Sequence, residues 1–439
     1  MLSRETYHRR QIESSSGVEK DKNPFLSISM PKRYGFFYQK RRKGMKKVWL
    51  TGLILLSFVL LAGCQEDNLE VPRGTLDVEV VDLLGTQVFF ETITYDLTTE
   101  ESVFDLIDQA IDLDYSVFDI GTMINGIEGF YPTEYGITYN YWYSLYIDDE
   151  MSNVGIEDIE LSDGLKISFK ESTMLDEIDL WVDEVIYAFI EQHASDYINE
   201  NAASYHVVAA LKQLSDRGYD IPELNDQNYD YPGLMDDTIA SLFKSSVIAQ
   251  AFGLQTSTLE TAIVSMIPAN HYESVSFMNA YHLLGMEVTS TMIDELTQST
   301  PAYMDADYAG MVLNALSPYG SNMEVESFVN EMLVYIGDQL TSSGIESWGN
   351  PNASSTAAVV LGLIAQGINP RGTEYTLDNT DLIEALKLYE VDRTFKYLLA
   401  DENADLAFST PQVFSALVAY KLYRDVWGNP AVNLFIPYQ

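Results

Sequence analysis

The sequence predicts an α+β multidomain chain, a small β-grasp-like α+β domain followed by an all-α domain of paired helices. Three observations carry this. Leu76, Val78 and Val80 alternate with Asp77, Glu79 and Val81, the period-two pattern of a half-buried strand. From about Asp176 the period changes, and Trp181, Val185, Ala188 and Phe189 recur at helical spacing. Four later segments, 203–218, 305–320, 353–367 and 410–423, share a polar start and an apolar middle rich in small residues, and three of them close on a glycine.

The first elements belong to the segment 75–171. After the Thr75 strand comes a turn at Gly85 and a second run from Val88 to Ile93. Thr99 to Ile107 reads as a capped helix with Val103, Leu106, Ile107 and Ala110 on its apolar side. Met123 to Gly126 and Tyr139 to Ile147 are further strands, and Asp163-Gly164 turns the chain into a last strand, Leu165 to Phe169. Two strands, a helix and then more strands make a sheet wrapped on one helix.

The second domain spans 176–439. Its four similar segments centre on Ala210-Leu211, Ala315-Leu316, Gly362-Leu363 and Ala416-Leu417, at steps of 105, 47 and 54 residues. A unit of about 50 residues fits a helical hairpin, in which small residues let one helix of each pair pack closely. Such pairs stack as an open solenoid or close into a ring, and periodicity does not choose between them.

Upstream, residues 1–44 show no periodicity and are expected to be a non-structural extension. Met45-Lys46-Lys47, the apolar run Val48–Leu60 and Leu61-Ala62-Gly63-Cys64 have the order of a lipoprotein signal peptide over 45–63. Cys64, the single cysteine of the chain, stands where a lipid anchor attaches. The expected location is therefore the outer face of a cell membrane, with residues 64–74 as a polar tether. Residues 64–439 carry 12 basic and 62 acidic side chains, a net charge of −50. So acidic a surface argues against nucleic acid and anionic lipid headgroups as partners.

No metal site is expected: no thiolate is available beyond Cys64, and the five histidines form no His-x-x-x-His pair. Catalysis is not expected either. Asp236-Asp237 and Asp305-Ala306-Asp307 lack the further acids of diphosphate-binding or cyclase motifs, and His193, His206, His271 and His282 sit in no recognisable triad. His271, beside Pro268 and Asn270, is in a segment that reads as a loop, and nothing in its spacing assigns it a ligand role.

Tyr141-Trp142 with Leu145, then Val154-Gly155-Ile156-Glu157-Asp158, then Asp163-Gly164-Leu165-Lys166-Ile167 resemble the small β domain of the animal cobalamin carriers, the transcobalamin and intrinsic factor family. The likeness is to the transcobalamin C-terminal type of domain, here DUF4430-type, and covers about 75–171. Three further stretches resemble the carriers' α/α toroid: Asp307-Tyr308-Ala309-Gly310-Met311, Gly344 to Thr356 with Trp348-Gly349-Asn350, and Pro411-Gln412-Val413-Phe414-Ser415-Ala416-Leu417. The resemblance implies an (α/α)6-type toroid and a corrinoid ligand, cobalamin or a relative, in the cleft between the domains. It implies Asp307, Asn350 and Gln412 as partners of the corrin amides from the toroid, and Tyr141 and Trp142 from the β side. Asp307 and Asn350 equally suit helix N-capping, Gln412 a solvated first turn, and Trp142 a strand core.

The chain departs from the family in three ways. Its domain order is reversed, disulfides are absent, and Tyr308 replaces an inner-helix Thr. The resulting expectation is a lipid-anchored, non-enzymatic protein that captures a corrinoid for a vitamin importer. The alternative is a surface module that binds a protein or glycan, motivated by the acidity and by tyrosines such as Tyr229, Tyr231 and Tyr303.

Overall fold

The computed structural model describes residues 72–119, 121–198, 203–221, 238–298 and 304–436. The signal peptide, Cys64, most of the tether, Tyr229, Tyr231, Asp236-Asp237 and Tyr303 lie outside the described residues. The chain is α+β, with a mixed sheet region followed by a largely helical one.

The first strands, β1 (Arg73–Val81) and β2 (Gln87–Asp96), form an antiparallel hairpin. Helix α1 (Val103–Ala110) follows, with Ser102 and Asp105 forming a reciprocal capping box at its start. Strands β3 (Leu113–Phe118) and β4 (Gly121–Ile127) pair only with each other, as a ribbon outside the main sheet. The main sheet is completed by β5 (Tyr141–Ile147), β6 (Glu150–Met151) and β7 (Leu165–Thr173), in the order β2-β1-β7-β5-β6. Its central pair, β1 and β7, runs parallel. Leu76, Val78 and Val80 of β1 are buried with Ile167 and Phe169 of β7 and Val103 and Ile107 of α1, as the alternation predicts. Two details differ. Ala110 is exposed, and Ile111, just past the helix, takes its place in the core. Glu79, on the opposite face, is also buried, where it accepts from the Ser168 hydroxyl and pairs with Lys166 at 3.0 Å.

The helical region comprises α2 (Glu177–Gln192), α3 (Tyr205–Asp216), α4 (Ile239–Ala251), α5 (Ser257–Val264), α6 (His271–Leu283), α7 (Ser290–Thr297) and α8 (Ala306–Leu316), followed by α9 (Met323–Asp338), α10 (Ala353–Ala365), α11 (Leu382–Lys387) and α12 (Ser409–Arg424). Short strand pairs lead into α10 and α12: β8 (Leu340–Thr341), β9 (Gly344–Ser347) and β10 (Asn350–Pro351) before the first, β11 (Glu390–Val391) and β12 (Thr394–Phe395) before the second. The four segments singled out in sequence are α3, α8, α10 and α12. His271, which reads as a loop residue, is instead the first residue of α6, capped by Asn270.

Helix α8 packs on α10, α10 on α12, α12 on α3, α3 on α4, α4 on α6, and α6 on α8. Side-chain bonds show that neighbours run in the same direction. Tyr272 of α6 donates to Asp305 at the start of α8, and His282 meets the Tyr319 hydroxyl at their far ends. Ser354 and Ser409 meet at the starts of α10 and α12, and Tyr219 just past α3 donates to Asp425 just past α12. The closest approach depends on missing side chains. A Cβ on Gly310 would stand 2.4 Å from the Ala358 carbonyl oxygen, and one on Gly362 2.5 Å from that of Gly310. Helix α2 runs the other way along α12, with Phe189 stacked on Phe414 at 4.2 Å and Tyr420 donating to Asp179.

Among the described residues no helix is long and apolar enough to cross a membrane.

Candidate functional site

The starts of α8, α10 and α12 lie together at one end of the helical region; α8 and α10 are capped by residues other than Asp307 and Asn350, and α12, preceded by Phe408, has no side-chain N-cap. Asp305 accepts from Tyr308 N (2.9 Å), Asn352 from Ser355 N (2.8 Å), and Asp405 from Phe408 N and Ser409 N. Capping therefore does not account for Asp307 or Asn350. Asp307 is partly buried in the first turn of α8 and accepts from the Trp348 indole N–H at 3.1 Å and from the Ser355 side chain. Burial, with a smaller push from Asp305, holds its carboxyl above the ordinary carboxylate range against those two donors. Asn350 is exposed on β10. Gln412 is not the solvated residue that its first-turn position suggests, because its Oε1 is shut off from solvent with no hydrogen-bond partner.

Trp348, whose indole reaches Asp307, sits in the turn that leads to Asn350. Ser347 pairs with Asn350 across a two-residue turn in which Trp348 (φ 56°) and Gly349 (φ 85°) are both left-handed. The turns at Asp148-Asp149, Asp378-Asn379 and Asp392-Arg393 have the same backbone and begin with aspartate. Asp and Asn tolerate this conformation, and a bulky aromatic pays about 1–2 kcal/mol for it. The indole is nevertheless 72% exposed. Tyr397, whose carbonyl receives Ala353 N at the start of α10, lies near Asp307, Asp401 and Asp405. Phe408, before α12, is exposed as well. Among the described residues no lysine or arginine forms an ion pair with Asp305, Asp307, Asp401 or Asp405.

Tyr141 and Trp142 lie elsewhere. The Tyr141 side chain is buried, and its hydroxyl donates to Asp183 of α2 at 3.0 Å. Burial and the neighbouring Asp183 and Glu134 carboxylates push that hydroxyl far above the ordinary tyrosine value. Asp183 in turn binds Lys421 and Arg424 in the last turn of α12. Gln412 is nine residues before Lys421 in the same helix, about 14 Å away at the helical rise of 1.5 Å per residue. Trp142, on the opposite face of β5, is part-exposed and donates to Ser144. The five expected ligand residues are thus divided between two ends of α12. The cause is a short connection. Strand β7 ends at Thr173, and α2 begins at Glu177 beside Arg371, Tyr420 and Arg424, so the sheet is tied to the far end of α12.

At that junction Lys421 is fully buried and pairs with Glu134, Asp183 and Asp425 at 2.7, 3.1 and 2.9 Å. Burial pulls its ammonium down, but the three carboxylates outweigh burial and hold it above the ordinary lysine value. Asn140 and Tyr141 from the sheet side bind Asp425 and Asp183. Sequence reasoning passed over this cluster. Its one signal is a lysine inside the apolar run Ala419-Tyr420-Lys421-Leu422-Tyr423.

His206 is buried against Ser415, and burial lowers it to about 3, a neutral core imidazole. Among the described residues no group of three or more His, Cys, Asp or Glu side chains is placed to hold a metal ion. Two cavities of about 450 and 500 Å³ flank the C-terminal strap, where Val432 N bonds Ile364 O and Gln213 holds the carbonyls of Leu434 and Ile436.

Residues 100–173, from the capping segment of α1 to the end of β7, match a family profile described as a domain of unknown function, DUF4430. A solved structure from Ruminococcus gnavus, provisionally described as a metal-binding protein, is 13% identical over 23% of this chain and 99% of that chain, with a TM-score of 0.20. No curated protein sequence matches the chain.

Proposed function

We propose that this chain is a non-catalytic capture protein, lipid-anchored at the outer face of a cell membrane. Its ligand is cobalamin or a related corrinoid, taken up at the starts of α8, α10 and α12 and passed to a vitamin importer. The observation that carries this reading is that Asp307 and Asn350 are free of capping and the Gln412 Oε1 has no partner, at one end of a set of parallel helices. A corrin rim is lined with amides, which need both acceptors and donors. Asp307 offers acceptors, and Asn350 and Gln412 offer both.

The architecture supports the same reading. The packing order α3-α4-α6-α8-α10-α12 returns to α3, and α2 runs outside it in the opposite direction. This favours a closed (α/α)6-type toroid over an open solenoid. The sheet order β2-β1-β7-β5-β6, with a parallel central pair and one helix after the first hairpin, favours a β-grasp domain. Unlike the expected arrangement, the site proposed here is a mouth at the helix starts and not a cleft between domains.

Titrating residues 65–439 with cobinamide and cyanocobalamin tests the proposal. A retained corrinoid spectrum after gel filtration is expected, with affinity lowered about tenfold in Asn350→Ala and Gln412→Ala and unchanged in Trp142→Ala. Failure to retain either corrinoid at micromolar protein would refute the corrinoid assignment, and dependence on Trp142 would restore the interdomain cleft. The exposed Trp348 and Phe408 also favour a second reading, a protein- or glycan-binding surface, which a glycan array and pull-down from envelope extracts would separate from the first.

A further inference from the structure

The acidic side chains at the starts of α8, α10 and α12 meet no lysine or arginine in an ion pair among the described residues. Asp307 is a partly buried carboxylate whose partners, Trp348 and Ser355, are both neutral. Asp305 adds its charge nearby, and Asp401 and Asp405 add theirs near Tyr397. The Gln412 Oε1 acceptor is buried and unpartnered, and so is the hydroxyl of Ser347, which precedes Trp348 and is itself 5% exposed. Trp348 adds an exposed π face, held in a strained turn and oriented by its bond to Asp307. A carboxylate beside an aromatic face attracts a cation twice, by charge and by the ring quadrupole. The same groups repel an anion, and the field of the chain at −50 over residues 64–439 adds to that.

We infer that this mouth is an acceptor-type site that selects ligands presenting ammonium or amide N–H groups beside a flat ring and rejects those bearing phosphate or carboxylate. The inference rests on the mouth being the binding site, as proposed above, and narrows what enters it. Among corrinoids it favours forms without the phosphodiester-linked nucleotide.

Two pairs of probes test it by calorimetry on residues 65–439. Phenethylamine and 3-phenylpropionate share a ring and a similar length but differ in charge. Cobinamide and cyanocobalamin differ in the phosphodiester nucleotide. The amine is expected to bind at least tenfold more tightly than the acid, and cobinamide at least tenfold more tightly than cyanocobalamin. Asp307→Asn should abolish both preferences. Should that variant fail to fold, Trp348→Asn keeps the turn and should weaken them. Equal binding within the amine–acid pair, preference for the acid, or no heat from either member overturns the inference. Amine selectivity without corrinoid binding leaves it standing and refutes the corrinoid assignment alone.

Discussion

At position 348 the chain places an indole where the backbone favours Asn, Asp or Gly. Three other turns of the same geometry begin with aspartate, so the cost at Trp348 is local and not a property of the fold. Asp307 carries a related cost. Burial lifts its carboxyl above the ordinary value, so the folded state holds that proton more tightly than the unfolded chain does. Its contribution therefore favours folding at low pH and is lost as pH rises through the raised value. Two results follow. Asp307→Asn should raise the melting temperature near neutral pH by about 2 °C, since about 1 kcal/mol corresponds to 2–4 °C in a domain of this size. Binding of a cationic probe should weaken as pH falls through the same value, because the carboxyl then carries a proton. Calorimetric melting and a pH series of titrations check the two. A variant less stable than the wild type would mean that Asp307 is a structural acceptor.

Among the elements, the α8–α10 contact is the most demanding. Gly310 and Gly362 put two helix backbones where no Cβ fits. Gly310→Ala should cost about 1–3 kcal/mol, because backbone must move to admit the methyl group. Gly337→Ala near the end of α9, with open space around it, is the control and should be neutral or slightly stabilising. Urea midpoints at constant slope measure both. Equal effects would remove the close contact as the cause. These helices were legible in the sequence because each repeats small residues on one face. Strand β3 was not, because Leu113-Asp114-Tyr115-Ser116-Val117-Phe118 gains its register only by pairing with β4.

For the whole molecule, the junction at Lys421 decides how the sheet sits on the helices. Lys421 is held above its ordinary value, so its contribution is complete below the unfolded lysine value and fades as pH rises through the folded one. Burial pushes the Asp425 carboxyl up, but Lys421 and Arg424 outweigh burial and lower it, so its contribution fades as pH falls through that lowered value. Glu134, raised by burial, opposes Asp425 in acid. The clasp is therefore firm in the neutral range and weakens at both extremes. Lys421→Met leaves Glu134, Asp183 and Asp425 facing one another with only Arg424 to compensate. It should cost about 3–5 kcal/mol and split one unfolding transition into two. A single transition at unchanged temperature would show that the clasp contributes little.

The sequence by itself determined strands β1, β2, β4, β5 and β7, helices α1, α2, α3, α8, α10 and α12, the change of period near Asp176, and the polar residues around α8, α10 and α12. These depend on spacing along the chain, where periods of 2 and 3.6 record which side chains share a face. Only the tertiary structure decided that Asp305 and Asn352 do the capping, that the Gln412 Oε1 is shut off from solvent, and that Tyr141 locks a domain junction. It also separated Tyr141 and Trp142 from Asp307, Asn350 and Gln412. That separation follows from Met174-Leu175-Asp176, which joins β7 to the start of α2 beside the end of α12. The side of the helical region on which a short link emerges is set by helix direction and packing, which no local pattern in the sequence encodes.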